Sequence, residues 1–153
     1  MKVEIQGPNE CALATIAALV SEPLGRIRDL ALAIANQDKK WWQYATTWDN
    51  VQSSMVLSFG VLSCVCDYVN LDIGVILGSP KFRHNKELPS YGRGAVAIKY
   101  KNTNPPRGHI APYENGLIYD PQSKVFAING VSLEMFLEYH KNSELCFISI
   151  VEH

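Results

Sequence analysis

Apolar residues dominate the first stretch of the chain and are interrupted there only once. From Cys11 to Val20 the single polar side chain is Thr15, and Asn9 precedes this run as a candidate N-cap. A helix that is apolar on every side is one that the rest of the protein encloses. The pattern therefore predicts a buried first helix capped by Asn9, with Cys11 in its first turn.

Two further helices are predicted in the N-terminal half. Apolar residues recur at helical spacing in a segment from about Leu24 to Asn36. A third helix is expected to begin with Asp49 as its cap and to run towards Phe59. Residues 62–69 fit a continued helix and a strand equally well. This half of the chain is thus expected to be mainly helical.

Short apolar runs separated by turn residues fill the second half of the chain. Residues 73–77, 94–100 and 145–151 are predicted to be strands, and Ser132 is expected to cap a short helix that runs to about His140. Helices followed by an antiparallel sheet make an α+β domain. The predicted architecture is therefore N-terminal helices packed against a C-terminal antiparallel β-sheet.

The dipeptide Asn115-Gly116 carries the strongest hairpin signal in the sequence. A tight turn at this dipeptide would place Ala111 opposite Asp120 across the two strands. His109 lies on the same face as Ala111, because alternate residues of a strand share a face. His109 and Asp120 are then diagonal neighbours with Cα atoms about 7–8 Å apart, so that an imidazole–carboxylate hydrogen bond is predicted.

This pair gives Cys11 a chemical interpretation. A carboxylate on one ring nitrogen of His109 leaves the other nitrogen to take a proton from a thiol. The unpaired N–H groups at the start of a helix favour a thiolate, as does the positive end of the helix dipole. The alternatives are structural roles without catalysis: Cys11 as a buried thiol, His109 as a surface residue and Asp120 as the first residue of an Asp-Pro turn.

Composition and charge limit which classes of partner and which location are expected for the protein. With a net charge of −1 at pH 7, the chain lacks the excess of Lys and Arg that phosphate binding needs, so nucleic acid is not an expected partner. No signal-peptide pattern opens the chain, and its apolar runs are too short for a membrane span. The expected location is the cytoplasm, of a bacterium or of a phage-infected host. Residues 1–153 contain neither a repeat nor a linker and are expected to form one domain.

The cysteines and histidines lack the spacing of common metal motifs. The chain has four cysteines and no CxxC pair, which argues against a zinc ribbon and against a thioredoxin-like motif. Cys64, Cys66 and Cys146 are expected to be reduced and packed in the core. No metal or other cofactor is expected. The remaining histidines are expected at the surface: His84, His140 and His153.

The order of these residues resembles that of the papain-like cysteine peptidases. A Gln is followed by a turn and by a Cys that opens a long apolar helix; far downstream come a His on a strand and an Asp-Pro pair. In this sequence the matching pieces are Gln6, Cys11-Ala-Leu-Ala, Gly108-His109-Ile110 and Tyr119-Asp120-Pro121. The chain is most similar to the compact bacterial C39-like group of that family, and the resemblance spans nearly the whole chain.

The resemblance implies a role for each of these residues. Cys11 is the expected nucleophile, His109 the general base and then acid, Asp120 the orienting carboxylate, and Gln6 a donor to the oxyanion. The implied activity is hydrolysis of a peptide or isopeptide bond in a peptide or protein substrate, through a thioester. Acyl transfer to an amine and transglutamination use the same triad and remain alternatives.

Two departures from the family pattern support an alternative without catalysis. Gln6 stands five residues before Cys11 rather than six, and Ala12 takes the place of a glycine. A papain-like module that binds a peptide or a partner protein would tolerate both changes. An aromatic segment between the second and third predicted helices is expected either to line a substrate cleft or to pack in the core. Its tryptophans are Trp41, Trp42 and Trp48.

Overall fold

The structure is a computed structural model that describes residues 1–36, 46–49, 54–84, 87–104 and 106–151. Trp41 and Trp42, two of the predicted cleft residues, lie outside these ranges, as does His153. Trp48 is part of a short strand, and its role in a cleft stays a prediction.

The N-terminal half contains four described helices and one hairpin. The helices are α1 (Cys11–Val20), α2 (Leu24–Ala35), α3 (Phe59–Tyr68) and α4 (Ile73–Leu77). The hairpin consists of β1 (Thr46–Asp49) and β2 (Ser54–Leu57), which pair antiparallel between α2 and α3. The predictions for α1 and α2 are confirmed, apart from the cap of α1. The helix predicted from Asp49 to Phe59 is wrong, because Asp49 and residues 54–57 lie in strands.

Capping residues explain why two segments are helices: residues 62–69, which the apolar pattern left open, and residues 73–77, which it assigned to a strand. Ser58 accepts a hydrogen bond from the backbone N–H of Val61 and starts α3, which makes residues 62–69 largely helical. Asp72 caps α4 in the same way, and Gly78 closes that helix with a φ of 77°. The prediction of a strand at residues 73–77 is therefore wrong, since a short apolar run does not distinguish a buried helical turn from a strand.

The C-terminal half is a four-stranded antiparallel sheet with the order β5-β4-β3-β6. Its strands are β3 (Arg93–Tyr100), β4 (Gly108–Glu114), β5 (Leu117–Ile118) and β6 (Ser143–Ile150). Two short helices connect β5 to β6: α5 (Lys124–Asn129), which the sequence analysis did not predict, and α6 (Leu133–Tyr139), which it did. The predicted α+β class, with helices first and the antiparallel sheet after, is confirmed.

The sheet is buried on both faces. Along β3, Ala95 and Ala97 pack into the core shared with the helices of the N-terminal half, whereas Val96 and Ile98 pack into the core on the opposite face. This alternation follows the two-residue period of a strand. The second core contains Phe136 of α6, so that the sheet lies between the N-terminal helices and the α6 region.

The hairpin has the predicted turn and register. Asn115 and Gly116 both have positive φ, 51° and 81°, as a tight two-residue turn between antiparallel strands requires. Glu114 pairs with Leu117, and the next pair is Tyr113 with Ile118. Strand β5 ends at Ile118, before the predicted partner of Ala111, so Asp120 lies just beyond the ladder rather than in it.

The start of α1 differs from the prediction by one residue. Asn9 has a φ of 58°, a left-handed conformation that differs from the extended backbone of an N-cap residue. Glu10 occupies the N-cap position instead, and Cys11 is the first residue of the helix. None of the helices in the described part of the chain is long and apolar enough to cross a bilayer.

Two glycines offer a test of the packing of this sheet. A Cβ atom on Gly94 of β3 would lie 1.8 Å from the carbonyl oxygen of Ser149 on β6, whereas a Cβ on Gly25 of α2 would meet nothing within 4 Å. We expect Gly94→Ala to lower the free energy of unfolding by about 1–3 kcal/mol or more, because the strands must separate. Gly25→Ala should raise it by about 0.5–1 kcal/mol.

Urea denaturation of both variants measures these free energies. A Gly94→Ala protein as stable as the unmodified chain would show that β3 and β6 are not packed as described.

Candidate active site

The turn before α1 is held by an ion pair next to Cys11. Both carboxylate oxygens of Glu10 bind the guanidinium of Arg28 on α2, and the Nη2–Oε1 distance is 2.8 Å. Glu10 also accepts a hydrogen bond of 2.7 Å from the backbone N–H of Gly7. The bidentate geometry fixes the planes of both groups. The turn and the first residue of α1 are thereby tied to α2.

A buried threonine ties α1 to the strand that carries His109. The hydroxyl of Thr15 is fully buried and lies 2.8 Å from the carbonyl oxygen of Cys11 and 3.4 Å from that of Ile110 on β4. Thr15, the one polar residue in the apolar run, therefore bonds at the interface between the helix and the sheet. This contact brings the start of α1 against β4 at the position of His109.

His109 and Asp120 form the hydrogen bond that the hairpin register predicted. The Nε2 atom of His109 lies 2.7 Å from Oδ1 of Asp120, and the two side chains are 4% and 0% exposed. Oδ1 also accepts the backbone N–H of Gln122 at 3.0 Å. Because a carboxylate only accepts, the proton of this contact lies on Nε2, which leaves Nδ1 as the other ring nitrogen of His109.

The thiol of Cys11 interacts with the ring of His109. Burial by itself raises the pKa of Cys11, but a hydrogen bond with His109 and the charge of that ring outweigh burial. Backbone hydrogen bonds from Ile110 and Ala12 add to this effect, so that the pKa of the thiol lies below its ordinary value. Cys11 itself is half-buried and is more exposed than His109 and Asp120.

The pKa of His109 is raised and the pKa of Asp120 is lowered. Burial disfavours the charged ring of His109, yet its hydrogen bonds to Asp120 and Cys11 raise the pKa of His109 to about 9. Burial also opposes ionisation of Asp120, but hydrogen bonds from His109 and His140 hold the pKa of that carboxyl well below its usual range. These directions favour the charged form of each group: a thiolate, an imidazolium and a carboxylate.

Gln6 lies at the edge of this cluster. Its backbone N–H donates a 2.9 Å hydrogen bond to the carbonyl oxygen of Pro121, the residue after Asp120. Its side-chain Oε1 is buried and has no hydrogen-bond partner among the described residues. An unpaired buried acceptor is costly, which marks this amide as a group that a further ligand would satisfy.

Two residues of the cluster were not among the predicted site residues. Nε2 of His140 lies 2.6 Å from Oδ2 of Asp120, and Nδ1 of the same ring lies 2.6 Å from the hydroxyl of Tyr100. His140 is 4% exposed, so its predicted surface position is wrong. The available sequence signal is weak: Phe136 and His140 are four residues apart, on one face at the end of α6.

The donor atoms of His109, Asp120 and His140 lie within 4.8 Å of one another, a set of ligand types that also suits a transition metal. Each imidazole Nε2, however, already donates to a different oxygen of the same carboxylate. A cation would have to replace both protons and separate the three groups. The geometry therefore fits a hydrogen-bond network better than a metal centre.

The other cysteines lie apart from this network. Cys66 is buried in the helical core, as predicted, and its burial raises the pKa of the thiol to about 12. Cys64 and Cys146 are exposed, so their predicted core positions are wrong. The exposed histidine His84 is at the surface, as predicted.

The coupling between Cys11 and His109 is testable by titration. We expect Cys11→Ser to lower the pKa of His109 below about 9, because the thiol contact and its charge are among the causes of the raised value. The measurement is an NMR titration of ¹⁵N-labelled histidine rings. Cys64→Ser, on an exposed residue of α3, is the matched control and should leave the titration unchanged. An unchanged titration in Cys11→Ser would show that the thiol and the ring do not interact.

Comparison with known proteins identifies no relative of this chain. No protein-family model, no curated protein and no solved structure matches the chain. The interpretation of the site rests accordingly on its own geometry: a half-buried cysteine at the start of a helix, an imidazole beside its thiol, and a buried carboxylate behind that imidazole.

Proposed function

We propose that the protein is a cysteine peptidase or amide hydrolase in which Cys11, His109 and Asp120 form the catalytic triad. The observation that carries this proposal is the thiol of Cys11 in contact with an imidazole whose opposite nitrogen binds a buried carboxylate. The substrate would be a peptide or a protein, cleaved at a peptide or isopeptide bond.

The polarised thiol supports this proposal over a structural role. A cysteine that only fills space has its thiol pKa raised by burial, as Cys66 does. The pKa of Cys11 moves in the opposite direction because of His109. A thiolate is the nucleophilic form of cysteine, and it is the form that this neighbour stabilises.

Acylation would begin with attack of the Cys11 thiolate on the carbonyl carbon of the substrate. A bond forms between Sγ and that carbon, and the oxygen becomes an oxyanion. As the carbon–nitrogen bond breaks, imidazolium His109 gives its Nδ1 proton to the leaving amine. The products of this half-reaction are the free amine and a thioester on Cys11. Asp120 keeps the proton on Nε2 throughout, which holds the ring in the required tautomer.

Deacylation would reverse the role of His109. The neutral ring accepts a proton from a water molecule at Nδ1 as the water oxygen attacks the thioester carbon. The carbon–sulfur bond then breaks, releasing the carboxylic acid and restoring the thiolate–imidazolium pair. An amine in place of that water would give acyl transfer instead of hydrolysis, with the same groups. Acyl transfer, including transglutamination, therefore remains within this proposal.

Donors for the oxyanion are proposed at the start of α1. The backbone N–H groups in the first turn of a helix have no partner within the helix, and Cys11 is the first helical residue. Gln6 is the proposed side-chain donor, since its backbone is bound to Pro121 beside Asp120. Such donors act by stabilising negative charge that develops only during the reaction.

The α+β architecture supports a finer proposal about the fold and the setting of the enzyme. We propose a papain-like fold similar to that of the C39-like peptidases, because α1 carries the thiol and the sheet carries the imidazole. The proposed location is the cytoplasm of a bacterium, or of a host cell if the gene belongs to a phage. No cofactor, nucleic acid or membrane is part of the proposed reaction.

A second candidate function is a binding module that has the fold without the catalysis. The five-residue spacing between Gln6 and Cys11 and the alanine at position 12 favour this candidate, because both depart from the family pattern. The lowered pKa of Cys11 favours the enzyme, since binding alone has no use for a thiolate.

Alkylation kinetics test the activated thiol. We expect iodoacetamide at pH 6 to label Cys11 far faster than Cys146, an exposed thiol whose pKa burial raises. An ordinary thiol is under about 1% thiolate at that pH. Peptide mapping by mass spectrometry gives the rate at each cysteine. His109→Ala should abolish the advantage of Cys11, and the matched control His84→Ala should preserve it. Equal rates at Cys11 and Cys146 would refute the activated nucleophile.

Acylation tests the enzyme directly. With p-nitrophenyl acetate we expect an acetyl adduct on Cys11, visible in the intact mass, followed by slow turnover. Cys11→Ser should lose both. Gln6→Ala should lower the acylation rate by about 10²- to 10³-fold, the usual loss for one oxyanion donor, while alkylation stays unchanged. Digestion of a synthetic peptide library then identifies the bond cleaved. Fast labelling of Cys11 with neither adduct nor cleavage would favour the binding module.

A further inference from the structure

The carboxylate of Asp120 is held from two sides. Its Oδ1 accepts from His109, as the proposed triad requires, and its Oδ2 lies 2.6 Å from Nε2 of His140. The second contact has no part in the proton transfers described above. Because a fully buried carboxylate with one unsatisfied oxygen is costly, the ring of His140 removes that cost.

The tautomer of His140 follows from its two partners. Asp120 only accepts hydrogen bonds, so Nε2 of His140 carries a proton. In the neutral ring Nδ1 then accepts, and the hydroxyl of Tyr100 lies 2.6 Å from it. Burial raises the pKa of Tyr100 to about 12, with a further contribution from the charge of Asp120. The phenol therefore keeps its proton and remains a donor to His140 at neutral pH.

Aromatic neighbours hold the ring of His140 in place. Its centroid lies 4.7 Å from that of Phe136 and 4.9 Å from that of Tyr139, which meets it edge-on at 88°. The ring of His109, on β4, lies 4.6 Å away. His140 is 4% exposed, and these rings pack against it.

We propose that His140 is a positioning residue of the active site: it prevents the Asp120 carboxylate from rotating away from His109, and Tyr100 in turn sets the tautomer of His140. The inference rests on the proposed function for its catalytic consequence. Its structural content, an Asp120–His109 contact maintained through His140, is measurable without any substrate. Without His140 the carboxylate would be held at Oδ1 alone, by His109 and the N–H of Gln122, and a rotation about its Cβ–Cγ bond would interrupt the contact with His109.

The titratable groups that face this contact come from several elements. They are Cys11 at the start of α1, Tyr100 at the end of β3, His109 on β4, Asp120 after β5 and Tyr139 at the end of α6. Any variant of His140 must therefore be judged by the titration of His109, because that ring reports on both Asp120 and Cys11.

Three substitutions separate positioning from packing. His140→Phe keeps an aromatic ring against Phe136 and Tyr139 but removes both nitrogens. His140→Gln keeps a donor for Asp120 and an acceptor for Tyr100. Tyr100→Phe removes only the hydroxyl. Each protein is studied as the full chain by ¹⁵N-histidine NMR titration, by urea denaturation and by turnover of p-nitrophenyl acetate.

In His140→Phe we expect the pKa of His109 to fall below about 9, because the contact with Asp120 that raises it is interrupted. The turnover number kcat should fall by about tenfold with KM unchanged, a part of the roughly 10²- to 10⁴-fold effect of a positioned general base. His140→Gln should restore most of both losses. Tyr100→Phe should give smaller losses of the same sign and should have no further effect in the His140→Phe protein, since Tyr100 acts through His140.

Three results would overturn the inference. An unchanged titration of His109 in folded His140→Phe would make His140 a packing residue, even if the protein were less stable. A rise in the pKa of His109 would mean that His140 withdraws charge from Asp120 rather than positioning it. If His140→Phe does not fold, an unchanged His109 titration in Tyr100→Phe decides against the inference. A fall of the His109 pKa in a protein without turnover supports the positioning role and counts against the proposed function alone.

Discussion

The hydrogen bonds to the buried carboxylate of Asp120 are the interaction on which the site depends. A fully buried charge is tolerated only when paired, and Asp120 is paired with two imidazoles and one backbone N–H. This pairing keeps the carboxylate ionised, and the ionised carboxylate keeps a proton on Nε2 of His109. The hydrogen bond and the charge of that ring lower the pKa of the Cys11 thiol, which burial alone would raise.

Three parts of the chain have to meet for this pairing to reach the thiol. The tight turn at Asn115-Gly116 returns the chain so that Asp120 lies beside His109. Thr15 binds the first turn of α1 to β4, and the ion pair between Glu10 and Arg28 holds the preceding turn. His109 and Asp120 are buried, whereas Cys11 at the end of the network is half-buried. Buried hydrogen-bonding groups behind a cysteine support the proposed acyl transfer, which depends on groups held in a defined geometry.

Sequence reasoning was most accurate where a signal is local. The apolar run after Cys11, the turn at Asn115-Gly116 and the cap at Ser132 each predicted an element that the structure contains. It failed for residues 73–77 and for the segment between α2 and α3. In the first case an apolar run too short to show a period was decided by the caps Asp72 and Gly78. In the second, strand pairing between β1 and β2 overrode a weak helical pattern.

Local patterns along the chain predicted the helix-then-sheet order and the α+β class. They also predicted that His109 lies near Asp120, because adjacent strands joined by a two-residue turn have a register that can be counted. Only the tertiary structure brought Cys11 to His109, since the docking of a helix on a distant strand leaves no spacing to count. It alone also placed His140 and Tyr100 behind Asp120. Their contacts join β3, the hairpin and the end of α6, and the last of these reaches the sheet only when that helix packs on its face.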